Sequence, residues 1–157
     1  MKLTVFIDGA CEPINPNGHG ACAFAAFEGE VAGRESDARP VPFKTAAKLI
    51  GEGPGMTNNI AEYRALRGSL QWLVEHGHGG DEIDLRMDSQ LVVNQVNGAW
   101  ECRASNLQPY CRDCRAILLL LPQARLRWVP REENFVPDDL INRLYASHGI
   151  PVLARRG

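Results

Sequence analysis

A short apolar run near the start of the chain, Lys2 to Ile7, constrains the fold most. It is rich in strand-forming residues without alternation of apolar and polar positions, which predicts a central strand buried on both faces. Such a sheet needs covering layers on each side. Asp8 follows immediately, and a carboxylate at the end of a buried strand is costly to desolvate unless a partner compensates it. The alternative role of Asp8 is that of an Asx-turn residue opening the next loop.

The rest of the chain provides further strands and helices for the same sheet. Strands are predicted at 21–27, 43–50, 83–87 and 125–129, and helices at about 57–76, 89–96, 107–121 and 137–148. Polar loops are predicted at 11–20 and 31–42. Short links indicate an antiparallel meander for the first three strands, whereas the later strands return through helices and should run parallel to the first. The predicted fold class is therefore α/β, with a mixed five-stranded sheet flanked by helices.

Composition indicates an ordinary globular domain. The length of 157 residues predicts a single domain over 1–157, and 45% apolar with 23% charged residues is typical of a soluble protein. The net charge of −2 argues mildly against a large phosphate-binding surface. It does not exclude a nucleic-acid site, because bound metal cations would neutralise a cluster of acids.

The cysteines and apolar runs indicate a reduced, cytoplasmic protein. Five cysteines form no disulfide pattern. Cys111 and Cys114 fall on the apolar stripe of a predicted helix, which favours core thiols over a metal or redox pair. The apolar start is too short for a signal sequence, and the longest apolar run, Ile117 to Leu121, is far too short for a membrane span. We expect no membrane association, no obligatory protein partner and a monomer.

The helix that follows Thr57 carries the second acid of interest. Thr57, Asn58 and Asn59 are all favourable N-cap residues, and Asn59 with Glu62 has capping-box spacing. At about 100° per residue, Glu62 lies roughly 60° from the centre of the apolar stripe. Glu62 is therefore at the rim of the buried face, or it is simply a capping residue.

Two more acids stand at comparable positions. Asp88 ends the predicted fourth strand, although it has the right place to cap the next helix. Asp138 opens the last helix at roughly 90° from its apolar stripe, whereas Asp139 lies at roughly 170° and should face solvent. If strands one and four are parallel neighbours, Asp8 and Asp88 emerge at the same edge of the sheet.

Converging carboxylates of this kind require cations. Without histidine or cysteine ligands, the indicated ions are Mg²⁺ or, as a substitute, Mn²⁺. Two such ions about 4 Å apart suit phosphodiester hydrolysis.

These segments together resemble a known family. The chain resembles the type 1 ribonucleases H, which cut the RNA strand of RNA–DNA hybrids. The resemblance is carried, in the family's order and over nearly the whole chain, by Ile7-Asp8-Gly9-Ala10, Asn15-Pro16-Asn17-Gly18, Thr57 to Tyr63, Asp88-Ser89-Gln90-Leu91-Val92, and Arg131 to Asn134 leading into Asp138.

The resemblance implies the family fold, with strand order 3-2-1-4-5, and a set of catalytic and metal-binding acids. Asp8 would bridge two metal ions, Glu62 and Asp88 would bind one of them, and Asp138 the other. The implied reaction is hydrolysis of an RNA phosphodiester to a 5′-phosphate and a 3′-hydroxyl.

The resemblance also implies the substrate contacts. Asn15, Asn58 and Gln90 match positions that touch the minor groove of the hybrid, where 2′-hydroxyls are displayed. Thr57 and Asn59 match neighbouring backbone-binding positions.

Three departures from many relatives stand out. The loop from Asp8 to Asn15 is one residue longer. No histidine precedes the last acid, and Arg131 occupies that loop instead, as in one branch of the family. A basic protrusion is missing, because Trp100 to Arg103 is only weakly basic.

Other functions remain open at this stage. A resolvase-like or transposase-like nuclease of the same superfamily is disfavoured by the compact size and by the segment Thr57 to Asn59. A non-catalytic hybrid-binding module is disfavoured by an intact acid set, since acids repel phosphate unless metals are present. A purely structural protein would require all four acids to be helix caps or turn residues by coincidence.

Overall fold

A computed structural model of the chain describes residues 1–31 and 41–154, so that most of the predicted surface loop from Val31 to Pro42 lies outside the described residues. Within these ranges the chain forms five strands and four helices, with one 3₁₀ turn at Arg131–Glu133 before the last helix. They are β1 (Lys2–Glu12), β2 (His19–Glu28), β3 (Lys44–Glu52), α1 (Asn58–Glu75), β4 (Glu82–Met87), α2 (Gln90–Val96), α3 (Gln108–Leu118), β5 (Ala124–Trp128) and α4 (Phe135–Ser147).

The strands form one sheet in the order β3-β2-β1-β4-β5. β1 pairs antiparallel with β2, and β2 pairs antiparallel with β3. β4 lies parallel to β1, and β5 lies parallel to β4. The predicted fold class, strand directions and strand order are therefore confirmed.

Helices cover both faces of the central strand, as its continuous apolar pattern predicts. On one face, Leu3, Val5 and Ile7 belong to the main core with Tyr63 and Leu66 of α1. On the other face, Ala10 packs with residues of α4, and Phe6 packs with β2. Alternate residues of β1 thus belong to different layers of the molecule.

Two element boundaries differ from the prediction in ways that matter. β1 continues past Asp8 to Glu12, so Asp8 lies inside the strand rather than at its end. The segment Gly9 to Cys11 lacks large strand-forming side chains, which hid this extension. α4 begins at Phe135, two residues before Pro137, which is tolerated because the first turn of a helix has no intrahelical partner for that N–H.

The predicted core position of two cysteines is confirmed. Cys111 and Cys114 are buried, and burial raises the pKa of the Cys114 thiol to about 12, as expected of a core thiol. The ring of His78 is half-buried against Trp72 and hydrogen-bonds Asp81 at 2.8 Å. Among the described helices, none is long and apolar enough to cross a membrane.

The backbone of β1 touches the backbone of α1 at Gly9. A Cβ atom placed on Gly9 would collide with the carbonyl carbon of Ala61 and the amide nitrogen of Glu62. Both obstacles are backbone atoms in regular elements, so neither can move aside cheaply. Gly9 therefore permits an approach that places the neighbouring Asp8 beside Glu62.

We expect Gly9→Ala to destabilise the protein by about 1–3 kcal/mol, because the added methyl group forces β1 and α1 apart. The free energy of unfolding in urea measures this effect. Gly68→Ala is the matched control, since a Cβ at Gly68 of α1 meets no atom within 4 Å. It should stabilise the helix by up to about 1 kcal/mol. Equal effects of the two substitutions would contradict the backbone contact.

Candidate active site

Three acids from three elements meet at one end of the parallel strand pair. The pairing of β1 with β4 ends at Ile7 and Met87, so Asp8, still in β1, and Asp88, just after β4, are the next residues along the chain. Glu62 comes from the second turn of α1, directly behind the Gly9 contact. The predicted convergence at the sheet edge is therefore observed, although the edge is created by the end of β4 and not by the end of β1.

The geometry of this group suits a metal ion. One carboxylate oxygen from each of Asp8, Glu62 and Asp88 lies within 4.8 Å of the other two. Asp8 is buried, with 1% of its surface exposed, and the other two are half-buried. Three negative charges at this separation repel one another strongly, and hard oxygen donors are the ligands that Mg²⁺ and Mn²⁺ prefer. The donor set therefore fits a divalent cation.

Helix capping does not explain these acids. The side chain of Thr57 caps α1 by accepting a hydrogen bond from the N–H of Ile60 at 3.1 Å. Ser89 caps α2 in the same way, accepting from Val92 at 3.2 Å. The capping alternatives for Glu62 and Asp88 were therefore wrong, and Asp8 is no turn residue because β1 continues beyond it.

Asp138 occupies a different position from the other three acids. It is absent from the three-carboxylate group and lies 3.7 Å from the Arg131 guanidinium. Nδ2 of Asn142 also donates a hydrogen bond to it at 3.4 Å. Its side chain is 23% exposed, whereas that of Asp139 is 56% exposed and pairs with Arg143 at 2.9 Å. The predicted orientations of the two aspartates are confirmed.

The cleft above the acids has a volume of about 280 Å³. Its lining includes the three grouped acids together with Asn15, Asn58 and Arg131. The lining also includes Cys11, whose pKa is raised by burial, so this thiol remains neutral at physiological pH. A neutral thiol is a poor ligand, which leaves the oxygen donors as the metal-binding groups.

The two asparagines of the cleft, Asn15 and Asn58, are hydrogen-bonded to each other. Nδ2 of Asn15 donates to Oδ1 of Asn58 at 2.8 Å, and the backbone N–H of Asn58 donates to Oδ1 of Asn15 at 3.1 Å. This pairing joins the β1–β2 loop to the start of α1. The extra residue in that loop therefore does not displace Asn15 from the cleft.

The remaining predicted contact residues surround the cleft less closely. Thr57 serves as the helix cap, and Asn59 is half-buried in the first turn of α1. Gln90 is exposed at the start of α2, next to Asp88 in the chain. Among these additional residues, only Arg131 lines the cleft, and its side chain is 50% exposed.

Sequence reasoning included Asn134 in a resembling segment but gave it no role, and it is completely buried beneath the site. Its Nδ2 donates to the carbonyl oxygen of Ile7 at 2.8 Å and lies 3.4 Å from Oδ1 of Asp88. Asn134 is also the N-cap residue of α4. It thus joins β1, the Asp88 carboxylate and the helix that carries Asp138. The favourable capping residue type was a signal for the helix start, but nothing in the sequence indicates the distant partners.

The sequence and the fold resemble those of known proteins. A family model described as reverse transcriptase-like matches residues 43–144. The chain belongs to this family and is an RNase H-like domain. Among curated proteins, it is 31% identical to the bifunctional protein Rv2228c of Mycobacterium tuberculosis, over 90% of this chain and 35% of that protein. It is 38% identical to ribonuclease HI of Halobacterium salinarum over 55% of this chain and 42% of the relative. The chain thus spans well under half the length of these relatives.

Solved structures show the same likeness. RNase H1 from Halobacterium salinarum superposes with a TM-score of 0.77 at 28% identity, covering 94% of this chain and 99% of that chain. The N-terminal RNase H domain of Rv2228c also gives 0.77, at 25% identity, with coverages of 94% and 96%. LC11-RNase H1 in complex with an RNA/DNA hybrid gives 0.73 at 26% identity, covering 90% of this chain and 94% of that chain.

Asn134→Ala should weaken divalent-cation binding by about tenfold, because Asp88 loses a group that orients it. It should also destabilise the fold by about 1–3 kcal/mol, since the buried carbonyl of Ile7 loses its donor. Calorimetric titration with Mn²⁺ and unfolding in urea measure the two effects.

Asn97→Ala is the matched control for this prediction. Asn97, the residue that follows α2, also donates from Nδ2 to a strand carbonyl, that of Leu126, at 2.8 Å. It should lower stability without changing Mn²⁺ affinity. An unchanged Mn²⁺ affinity in Asn134→Ala would show that Asn134 supports only the fold.

Proposed function

We propose that this protein is an endonuclease that hydrolyses the RNA strand of RNA–DNA hybrids with two Mg²⁺ ions. The observation that carries the proposal is the group of Asp8, Glu62 and Asp88, whose carboxylate oxygens lie within 4.8 Å of one another. The likeness to proteins named ribonuclease H, one of them in complex with a hybrid, supports the choice of substrate.

In this proposal each of the four acids has its own role in metal binding. Asp8, the most buried, would help to hold both ions, Glu62 and Asp88 would hold one, and Asp138 would hold the other. The 3.7 Å contact between Asp138 and Arg131, a cleft residue, connects the fourth acid with the cleft. The cations supply Lewis acidity and neutralise the charge that develops on the phosphate.

The protein positions the scissile phosphodiester for attack by water. The water oxygen forms a bond to phosphorus, the bond from phosphorus to O3′ breaks, and the 3′ oxygen gains a proton. The products are a 5′-phosphate and a 3′-hydroxyl. The chain's own contribution is to hold the acids at fixed separation, which preorganises the site before the substrate arrives.

Recognition of ribose is assigned to the amides at the cleft. Asn15 and Asn58 are connected by two hydrogen bonds, so their remaining polar groups are held in place to meet 2′-hydroxyls in the minor groove. Gln90 adds a third amide from the start of α2. Thr57 and Asn59 contact the backbone nearby, and Arg131 meets a phosphate.

Two alternative functions predict different outcomes for the substrate. A hybrid-binding module without catalysis would bind hybrids and leave them intact. A resolvase-like nuclease would cut duplex DNA. The acid group disfavours the first, because three carboxylates in a cleft repel phosphate unless cations are recruited for chemistry.

The test is cleavage of labelled substrates with and without Mg²⁺. We expect cutting of the RNA strand in a hybrid, little cutting of duplex RNA and none of duplex DNA, because the amides read ribose beside a DNA strand. Asp8→Asn should abolish cleavage while it preserves hybrid binding, since it removes charge from the acid that would help to hold both ions. Comparable cutting of duplex DNA, or activity of Asp8→Asn within tenfold of the wild type, would contradict the proposal.

The fourth acid has its own test, with its chain neighbour as the control. Asp138→Asn should lose most activity at low Mg²⁺, because only Asp138 faces the Arg131 side of the cleft. Asp139→Asn should remain near the wild type, since Asp139 is exposed and pairs with Arg143. Activity measured across a Mg²⁺ titration separates them. If Asp139→Asn lost activity and Asp138→Asn kept it, the fourth ligand would be Asp139 and not Asp138.

The remaining assignments are also predictions. We propose that residues 1–157 fold as a single RNase H-like domain, with no obligatory protein partner and a cytoplasmic location.

A further inference from the structure

One face of α4 carries three polar residues at a spacing of four. Asn134 is the N-cap residue, Asp138 follows one turn later, and Asn142 follows after another turn. Side chains four residues apart are neighbours on the surface of a helix. This polar face contrasts with Ile141 and Tyr145 of the same helix, which are completely buried in an apolar cluster.

The two amides of this face have the same relation to two of the site acids. Nδ2 of Asn134 lies 3.4 Å from Oδ1 of Asp88, and Nδ2 of Asn142 donates to Oδ2 of Asp138, also at 3.4 Å. The opposite orientation of either amide would turn its oxygen toward an ionised carboxylate, which is only an acceptor. The acids therefore determine which way the two amides face.

In this orientation the two amide oxygens have no donor. Oδ1 of Asn134 and Oδ1 of Asn142 are both buried and have no hydrogen-bond partner among the described residues. A buried acceptor without a donor destabilises a fold, and native proteins contain few of them. Asn134 offsets this cost through its 2.8 Å bond to the carbonyl of Ile7. Asn142 makes no second side-chain bond within the described part of the chain, so stability alone does not account for it.

A hydrated cation at Asp138 would supply the donor. Mg²⁺ usually retains several waters when it binds to a protein, and the O–H groups of these waters need acceptors. The 3.4 Å contact between Asn142 and Asp138 is longer than the roughly 2.7–2.9 Å of a charge-assisted hydrogen bond. The amide is therefore loosely held in the metal-free protein and can adjust when an ion binds to the carboxylate.

We propose that Asn142 is a positioning residue for the fourth acid. Its Nδ2 orients the Asp138 carboxylate, and its Oδ1 accepts a hydrogen bond from the hydration shell of the cation that Asp138 holds. The presence of a cation at Asp138 rests on the proposed function. Asn134 has the corresponding place beside Asp88, so that one face of α4 supports both metal positions.

Mn²⁺ calorimetry and unfolding in urea distinguish this role from a structural one. Asn142→Leu should weaken binding of the Mn²⁺ ion that depends on Asp138 by about tenfold, because the ion loses an acceptor for its hydration shell. The urea midpoint of the metal-free variant should equal or exceed that of the wild type, since a buried acceptor without a donor is removed. A lower midpoint with unchanged Mn²⁺ affinity would overturn the proposal.

Two further variants test the oxygen and the helix separately. Asn142→Asp keeps an acceptor oxygen and should bind this ion at least as tightly as the wild type. Affinity as low as that of Asn142→Leu would refute the role of the oxygen. Arg143→Ala is the matched control, because Arg143 is the next residue of α4, is exposed and pairs with Asp139. It should leave Mn²⁺ affinity unchanged.

The side-chain amide signals of Asn142 in nuclear magnetic resonance spectra give a readout on the wild-type protein itself. They are identified by their absence in Asn142→Leu. They should shift on titration with diamagnetic Mg²⁺, and this shift should be lost in Asp138→Asn. The amide of Asn97, which donates to the carbonyl of Leu126, should not respond. Asn142 signals that stay fixed at saturating Mg²⁺ would contradict the proposal.

Coupling between Asn142 and Asp138 gives the closing comparison. The double variant Asn142→Leu/Asp138→Asn should bind Mn²⁺ as Asp138→Asn does, because both substitutions act on the same ion. In hybrid cleavage, Asn142→Leu should raise the Mg²⁺ concentration for the half-maximal rate by about tenfold and leave the rate at saturating Mg²⁺ within about twofold. Additive losses of Mn²⁺ affinity would overturn the proposal.

Failure of the two proposals can be told apart. If the wild type cuts no hybrid, the proposed function fails, yet the Mn²⁺ and Mg²⁺ titrations still decide whether Asn142 supports an ion at Asp138. If the wild type cuts hybrids but Asn142→Leu keeps the wild-type Mn²⁺ affinity, only the role of Asn142 fails. If Asn142→Leu does not fold, Asn142→Asp and the amide signals of the wild type still test it.

Discussion

The contact between the backbones of β1 and α1 at Gly9 is the constraint on which the rest of the site depends. It places Asp8 beside Glu62, which come from segments far apart in the chain. The parallel pairing of Ile7 with Met87 then brings Asp88 to the same point. The separation of the acids is thus determined by regular elements in direct contact, which hold ligands more rigidly than loops do.

The site end of the sheet is polar, whereas the middle of the sheet is apolar. Leu3, Val5 and Ile7 lie between the sheet and its helices, have no exposed surface and contribute buried apolar area. At the site end, buried polar side chains hydrogen-bond to backbone groups instead: Asn134 to the carbonyl of Ile7, and Glu12 to the N–H of Ala154. Each of these groups would be costly if it lost its partner, so the architecture around the acids is specified by hydrogen bonds as well as by packing.

Much of this arrangement could be predicted from periodicity. The continuous apolar run of β1 correctly indicated a strand covered on both faces, and the predicted helix after Thr57 does place an apolar stripe, with Tyr63 and Leu66, in the core. The failures have local causes. Small residues after Asp8 carry no strand signal, so the extension of β1 to Glu12 was hidden. Pro137 is compatible with several places in a first turn, so it did not determine the start of α4.

The sequence by itself determined the class of fold and, through its resemblance, the strand order, and it predicted which acids form the site, because these depend on patterns within segments. Only the tertiary structure decided that Asp8, Glu62 and Asp88 meet, that Asp138 pairs with Arg131, and that Asn134 lies beneath Asp88. It alone joined Glu12 to Leu153, 141 residues away. Such contacts join residues that are distant in the chain, and no local propensity or spacing records which distant backbone group a buried side chain will reach.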